Sequence, residues 1–339
     1  MFPSILPAFD PANKPKLMPT DRDTVFADNA ALLYRFRNKQ GQHGKGPVAL
    51  LVPSMINRWY VMDLREGASL IEALVASDLD VYCIDWGNVE GEDRYFTWQD
   101  VQNRLQRMIR ATKRVSGQPT LGILGYCMGA TLASIGVALK PEGITSFVNL
   151  AGPIDFSKAG VLGEMVDPRW FDPHALAAPG NITPKQMQDG FTSMRPTLQI
   201  GKWIGFADRS HDPKSVEAFV AMEAWANDNV EFPAAAYTTY ISELYQGNKL
   251  VQGSHRVGGE RVDLKNLTCP VLVVCAARDT ICPPPAATAL IDHCGAKDTK
   301  VLEVPGGHVG AVIGSRASRE LYPAIAAWFR KHGEAAQQA

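Results

Sequence analysis

The stretch PTLGILGYCMGATLAS, Pro119 to Ser134, decides how this chain is read. Its first half is apolar and rich in small residues, as a strand covered on both faces would be. Its second half has helical spacing, with Leu132, Ile135 and then Leu139 on one face. Between the halves, Gly125 and Gly129 flank Cys127 at two-residue spacing. This is the frame of a nucleophile elbow, G-x-S-x-G, with cysteine where serine is usual. The elbow holds its nucleophile in a strained backbone conformation, and only small neighbours let strand and helix approach closely there. The helix N-terminus behind Cys127 carries unpaired N–H groups and a positive dipole end, which favour thiolate over thiol. The backbone N–H of Met128 is then one oxyanion donor. The competing reading is a small-residue turn that contains an inert cysteine.

The rest of the chain repeats the same grammar. VALLVPSM, DVYCIDWG, ITSFVNLAG, CPVLVVCAA and KVLEVPGG are short apolar runs closed by Gly, Pro or a polar turn. Runs apolar on both alternating faces fit strands of a parallel sheet covered on both sides. Helix-period segments lie between them: SLIEALVAS with Leu70, Leu74 and Val75, then VQNRLQRMI, and finally SRELYPAIAAWFRKH with Leu321, Ile325 and Trp328 on one face. Strands alternating with helices predict a doubly wound α/β fold. The alternation stops between about Phe156 and Leu250, a region of prolines, tryptophans and short helical patterns. It reads as a helical cap inserted over the sheet. The predicted organisation is a tail with one strand around ALLYRFR in residues 1–45, a discontinuous core of 46–156 and 251–339, and a cap of 157–250.

An elbow needs an acid and a base downstream, in that order. VPGGHVGAV places His308 in a glycine-rich loop just after the last strand, where the base belongs. The other histidines compete poorly: His43, His174 and His211 fall in the tail or cap, His332 lies near the C-terminus, and His255 and His293 read as solvated polar groups. CAARDTICPP puts Asp279 directly after the penultimate strand, and Asp155 in LAGPIDFS is its rival. Asp279 is preferred, because an R-D pair ending an apolar strand has few structural reasons to exist. Asp155 fits better as a turn or helix N-cap where the cap begins. The second oxyanion donor is expected from the loop after VALLVPSM, with the backbone N–H of Ile56 preferred over that of Met55.

The choice of sulfur bears on the reaction. An acyl group carried on cysteine is a thioester, close in energy to an acyl-CoA, so transfer on to an alcohol competes with hydrolysis. Cysteine also yields its proton to histidine more readily than serine does. A cysteine elbow therefore leans toward acyl transfer. The alternative is hydrolytic: a cysteine-dependent thioesterase or esterase.

Composition narrows the field further. The 339 residues are 46% hydrophobic with a formal net charge of -1, which argues against general binding to nucleic acid or membrane surfaces. The six cysteines form no C-x-x-C pair and no Cys/His ligand cluster, so no metal site is expected, and the five outside the elbow read as reduced core or near-surface residues. The N-terminal segment lacks the basic region and apolar core of a signal peptide, and no apolar run approaches the ~18 residues of a membrane span. A cytoplasmic protein is expected.

With those residues in place, the chain resembles the catalytic subunit of polyhydroxyalkanoate synthases, nearest to the short two-component type, within the α/β-hydrolase superfamily. The resemblance rests on INRWYVMDL (Ile56 to Leu64), DVYCIDWG, the elbow, GPIDF, the pattern W-x-N-D-x-x-x-x-P-x-x-x-Y from Trp225 to Tyr237, VDLKNLTCPVL, RDTICPP and PGGHVG, in shared order over nearly the whole length after the tail. It implies an α/β-hydrolase fold in which Cys127 is acylated, His308 activates both the thiol and the elongating hydroxyl, and Asp279 orients His308. It further implies a 3-hydroxyacyl-CoA substrate, a polyester product with release of CoA, and no cofactor beyond the CoA thioester itself; the hydrolytic alternative then includes an intracellular polyester depolymerase of the same fold. The implied partners are the growing polyester chain and its granule, a non-catalytic synthase subunit, and a second copy of the chain met through a mobile lid. Two positions depart from the family pattern: Ala130, where a third glycine is common, and Thr280, where histidine commonly follows the acid.

Overall fold

The computed structural model of the protein describes residues 15–140, 142–194 and 198–337. The six apolar runs are all strands of one eight-stranded sheet. In chain order its strands are β1 (Arg22–Asp28), β2 (Ala31–Phe36), β3 (Val48–Val52), β4 (Asp80–Asp85), β5 (Leu121–Tyr126), β6 (Ile144–Leu150), β7 (Val271–Ala276) and β8 (Thr299–Val304). Across the sheet they run β1-β2-β4-β3-β5-β6-β7-β8. All neighbouring pairs from β4 to β8 are parallel, and β2 pairs antiparallel with both β1 and β4.

Burial on both faces explains why the central strands read as continuous apolar runs. Along β3, Val48, Leu50 and Val52 enter one core while Ala49 and Leu51 enter the other. Along β5, Ile123 and Leu124 divide the same way. One core is closed by α2 (Trp98–Ser116) and α3 (Met128–Leu139), the other by α1 (Leu70–Ala76) and the C-terminal α12 (Tyr322–Gln337). Helix α2 starts at a capping box, in which Thr97 and Asp100 satisfy each other's backbone N–H groups, and stops at Gly117 with φ 70°. Such a cap contributes about 1 kcal/mol and fixes where the helix begins.

Two expectations need correction. The N-terminal region holds two strands rather than one: β1 precedes β2 in an antiparallel hairpin that turns at Asn29, whose φ is 54°. As the outermost strand, β1 has no fully buried residue, so its polar sequence RDTVFAD gives no alternating apolar signal. At the opposite edge, β8 is covered on one side only, and Val301 is 46% exposed despite the apolar run. Residues 1–14 of the expected tail lie outside the described residues.

Between β6 and β7 the described chain is mostly helical, with one short antiparallel pair of Arg256–Val257 and Glu260–Arg261 before β7. It comprises α4 (Gly160–Met165), α5 (Pro173–Ala177), α6 (Pro184–Met194), α7 (Leu198–Ala207), α8 (Pro213–Ala226) and α9 (Ala234–Thr239), the last continuing as a wider π turn to Gln246. After β7 come α10 (Pro284–His293) and α11 (Gly310–Ile313), and Ala317–Leu321 forms a π turn leading into α12. No helix among the described residues is long and apolar enough to cross a membrane.

Candidate active site

Cys127 occupies the sharp turn between β5 and α3 with φ 55° and ψ -130°, a conformation that side chains other than glycine rarely adopt. The turn is held by two backbone hydrogen bonds, Cys127 N–H to Leu150 O and Ala130 N–H to Cys127 O, each 2.9 Å. The glycines are required sterically. A Cβ at Gly125 would lie 2.2 Å from the Ala130 Cα, and one at Gly129 would lie 2.2 Å from the Val52 carbonyl oxygen. Ala130 takes the place of a third glycine because Gly152 faces it: a Cβ on Gly152 would come within 2.3 Å of the Ala130 methyl. Two small residues share one space, and either distribution of the methyl keeps the packing dense.

Asp279 and His308 come together because the loops after β7 and β8 are tied to each other. Arg278 donates its backbone N–H to Gly306 O at 2.9 Å. Nδ1 of His308 then lies 2.7 Å from Oδ2 of Asp279, while Oδ1 accepts the N–H groups of Ile281 and Cys282, each at 2.9 Å. Both side chains are buried. A carboxylate so committed fixes the imidazole with Nδ1 protonated and leaves Nε2 for proton transfer. Burial by itself would depress the imidazole. The Cys127 sulfur and the Asp279 carboxylate outweigh it and hold the His308 pKa up at about 10. Nε2 is buried without a well-formed hydrogen bond, while the Cys127 sulfur is near enough to raise the imidazole. Catalytic pairs commonly tighten only when substrate binds. Half-buried Thr280 sits in the turn between Asp279 and Ile281, away from the carboxylate's hydrogen bonds.

Cys127 lies where two chambers meet. One, of about 240 Å³, is bordered by Cys127, His308, Tyr126 and Asn57 together with Gln188 and Trp225. The other, of about 180 Å³, is apolar and runs under the cap past Met128, Phe171, Phe191, Phe232 and Tyr245. Ile56, Met187, Phe191 and Ile281 border both. Of the two oxyanion candidates after β3, Ile56 lines the chambers and Met55 lines neither. A larger groove of about 600 Å³, bordered by residues such as Asp21, Arg37 and Glu72, includes none of these residues.

The rival groups are engaged elsewhere. Asp155 caps the turn Phe156–Lys158, accepting from Ser157 and Asn248 and pairing with Lys158. Against the desolvation that would raise it, these partners hold its carboxyl below the usual range. His255, expected to be solvated, is instead fully buried, with Nδ1 2.8 Å from Glu243 Oε2. His43 contacts Phe36 O and Asp23. All six cysteines are free. Among the described residues no cluster of three or more His, Cys, Asp or Glu is arranged to hold a metal ion.

Sequence reasoning missed Tyr126, whose ring stacks on His308 at 5.4 Å with planes 24° apart. Its place directly before Cys127 was the available signal. It also missed the cap residues that enclose the apolar chamber, because short helices folded over a site carry no periodicity that says which face looks inward.

Comparison with known proteins agrees with this architecture. Residues 47–314 match the family model described as the alpha/beta hydrolase fold. The chain is 32% identical over 314 residues to the poly(3-hydroxyalkanoate) polymerase subunit PhaC of Allochromatium vinosum, covering 91% of this chain and 88% of that one. It is also 32% identical over 319 residues to the PhaC subunit of Synechocystis, covering 91% and 84% respectively. Among solved structures, a soluble variant of monoglyceride lipase from Saccharomyces cerevisiae superposes with a TM-score of 0.56 at 14% identity, over 94% of this chain and 98% of that one, a likeness of fold. The chain belongs to the alpha/beta hydrolase fold family and, within it, to the poly(3-hydroxyalkanoate) polymerase subunits PhaC.

Proposed function

We propose that this chain is the catalytic subunit of a polyhydroxyalkanoate synthase, with Cys127 as nucleophile, His308 as general base and acid, and Asp279 orienting the imidazole. The observation that carries the reading is the buried 2.7 Å Asp279–His308 pair beside a cysteine held in an elbow, in a chain that aligns with PhaC subunits over nine-tenths of its length.

In the first half-reaction, the proton of Cys127 Sγ is held on His308 Nε2 and the sulfur attacks the thioester carbonyl of a 3-hydroxyacyl-CoA. The negative charge moves onto the carbonyl oxygen, toward the N–H groups of Met128 and Ile56. Collapse of this intermediate breaks the bond to the CoA sulfur, which leaves with the proton from His308. The acyl group is then a thioester on Cys127. In the second half-reaction, His308 takes the proton from the 3-hydroxyl of another unit, whose oxygen attacks the new thioester. An ester bond forms, the Cys127–acyl bond breaks, and the proton returns to sulfur. One CoA is released per unit added, and atoms balance without an external cofactor.

Acyl-CoA and polyester are the reactants this reading requires. A non-catalytic synthase subunit, a homodimer, a cytoplasmic setting and association with polyester granules belong to the same proposal. Incubation of the full chain with 3-hydroxybutyryl-CoA, with and without a candidate partner subunit, tests it. CoA release together with insoluble polyester is expected. Free 3-hydroxybutyrate as the only product would replace the synthase with a thioesterase, and undiminished CoA release by Cys127→Ala would remove the elbow from the mechanism.

A further inference from the structure

The catalytic steps leave two signature motifs of the sequence unused, INRWYVMDL and the W-x-N-D run that opens at Trp225, and the structure docks one on the other. Asp228, just beyond α8, accepts from Arg58 Nε on Oδ1 at 2.9 Å and from the Tyr60 hydroxyl on Oδ2 at 2.8 Å. Trp225 donates its indole N–H to Arg58 O at 2.9 Å, and Asn57 donates its side-chain N–H to Asn229 Oδ1 at 2.6 Å. The backbones of Asn57 and Asn229 form an antiparallel bridge, with Val230 N–H 3.4 Å from Ile56 O. Ile56, Asn57, Arg58 and Tyr60 are thus each gripped from the cap side.

This loop carries the Ile56 N–H, whose contact within the protein is a long one to Ser54 Oγ at 3.5 Å, and its carbonyl side is the side the cap holds. The same contact zone forms a wall of the chamber shared by Cys127 and His308, through Ile56, Asn57, Trp225 and Asn229. A single carboxylate that spans residues i and i+2 of the loop fixes their relative placement in a way that one hydrogen bond would not. We propose that Asp228 is a positioning residue, clamping the loop 56–60 so that its backbone donor stays aimed at the oxyanion formed beside Cys127.

Its contribution is geometric. The Asp228 side chain is 44% exposed, and an ion pair so placed adds little to global stability. Misplacing a transition-state donor by a fraction of an ångström has a much larger effect on rate. Loss of the clamp therefore separates turnover from stability, which a purely structural ion pair would not do.

The turnover readout rests on the acyl-transfer reading above. With the full chain and 3-hydroxybutyryl-CoA, Asp228→Ala is expected to lower kcat about 10- to 100-fold with KM within about threefold of wild type. Its melting temperature and the rate at which iodoacetamide alkylates Cys127 should stay at the wild-type values. Asp228→Asn keeps an acceptor for Arg58 and can donate to the Tyr60 oxygen, so it should recover most of the lost kcat. Unchanged kcat in the alanine variant, a parallel loss of alkylation, or an asparagine variant as impaired as alanine would each overturn the clamp. If wild type releases no CoA, the acyl-transfer reading fails and the clamp is judged by hydrogen exchange. Faster exchange of the amides at 56–61 in Asp228→Ala retains it, and unchanged protection overturns it.

Discussion

The ring of Tyr126 lies over the ring of His308, and the Tyr126 hydroxyl is buried without a hydrogen-bond partner among the described residues. Burial, with the charges of Cys127 and Asp279 nearby, pushes this phenol well above its ordinary pKa, so it stays neutral and packs as an aromatic plate behind the imidazole. An unpaired buried hydroxyl costs about 1–3 kcal/mol. Tyr126→Phe should therefore melt at or above the wild-type temperature and keep its ring stacked on His308. A lower melting point by calorimetry would mean that the hydroxyl is engaged in the folded state.

The raised pKa of His308 gives a signed pH dependence. Its folded value of about 10 lies above the ordinary 6.5, so protonation favours the folded state. That contribution is complete below about pH 6.5 and disappears as pH rises through about 10. The stability advantage of wild type over His308→Gln, measured by urea denaturation, should shrink between pH 7 and 10. Because the Cys127 sulfur is the largest of the raising influences, the His308 midpoint in Cys127→Ala should fall below the wild-type value when followed by NMR. An unchanged midpoint would separate the two groups electrostatically.

Five of the six thiols are made poor nucleophiles by burial. Cys83 and Cys282 are pushed well above the ordinary thiol range, Cys269 to about 12, Cys275 to about 11, and Cys294 upward as well. Brief treatment with iodoacetamide near pH 7 should therefore modify Cys127 first, and peptide mass mapping reads the site directly. Early modification at Cys269 or Cys294, both partly accessible, would contradict this ordering.

The elbow glycines should be intolerant of even one methyl group. A Cβ at Gly129 meets two carbonyl oxygens, those of Val52 at 2.2 Å and Pro53 at 2.5 Å, and neither is the end of a flexible side chain. Gly129→Ala is expected to destabilise the fold by about 1–3 kcal/mol or more, as overpacking at backbone does. Denaturation midpoints matching wild type would show that β3 and α3 can separate at this point.

How much of this was legible beforehand depended on what each residue had to bury. The five central runs announced themselves because both faces of β3 to β7 are covered, which forces apolar residues at consecutive positions. Cys127, Asp279 and His308 were legible because each follows a strand end in a fixed order. Edge strand β1 was not, since an exposed strand can be polar. Nor was the meeting of Asp228 with Arg58 and Tyr60, 170 and 168 residues away. Both motifs could be seen in the chain, but nothing local says that one is the partner of the other. His255 was misread for a similar reason: the Glu243 that makes its burial tolerable is supplied by a π turn with no sequence signal of its own.

The backbone angles at Cys127 also limit what this lineage can try. At φ 55° and ψ -130° a β-branched side chain is strained, so threonine is excluded as a nucleophile on steric grounds alone. Serine and cysteine fit the same frame with the same base and acid behind them. Under the proposed acyl-transfer mechanism, exchanging one oxygen atom for one sulfur at this position changes the nucleophile with no strand, helix or loop obliged to move.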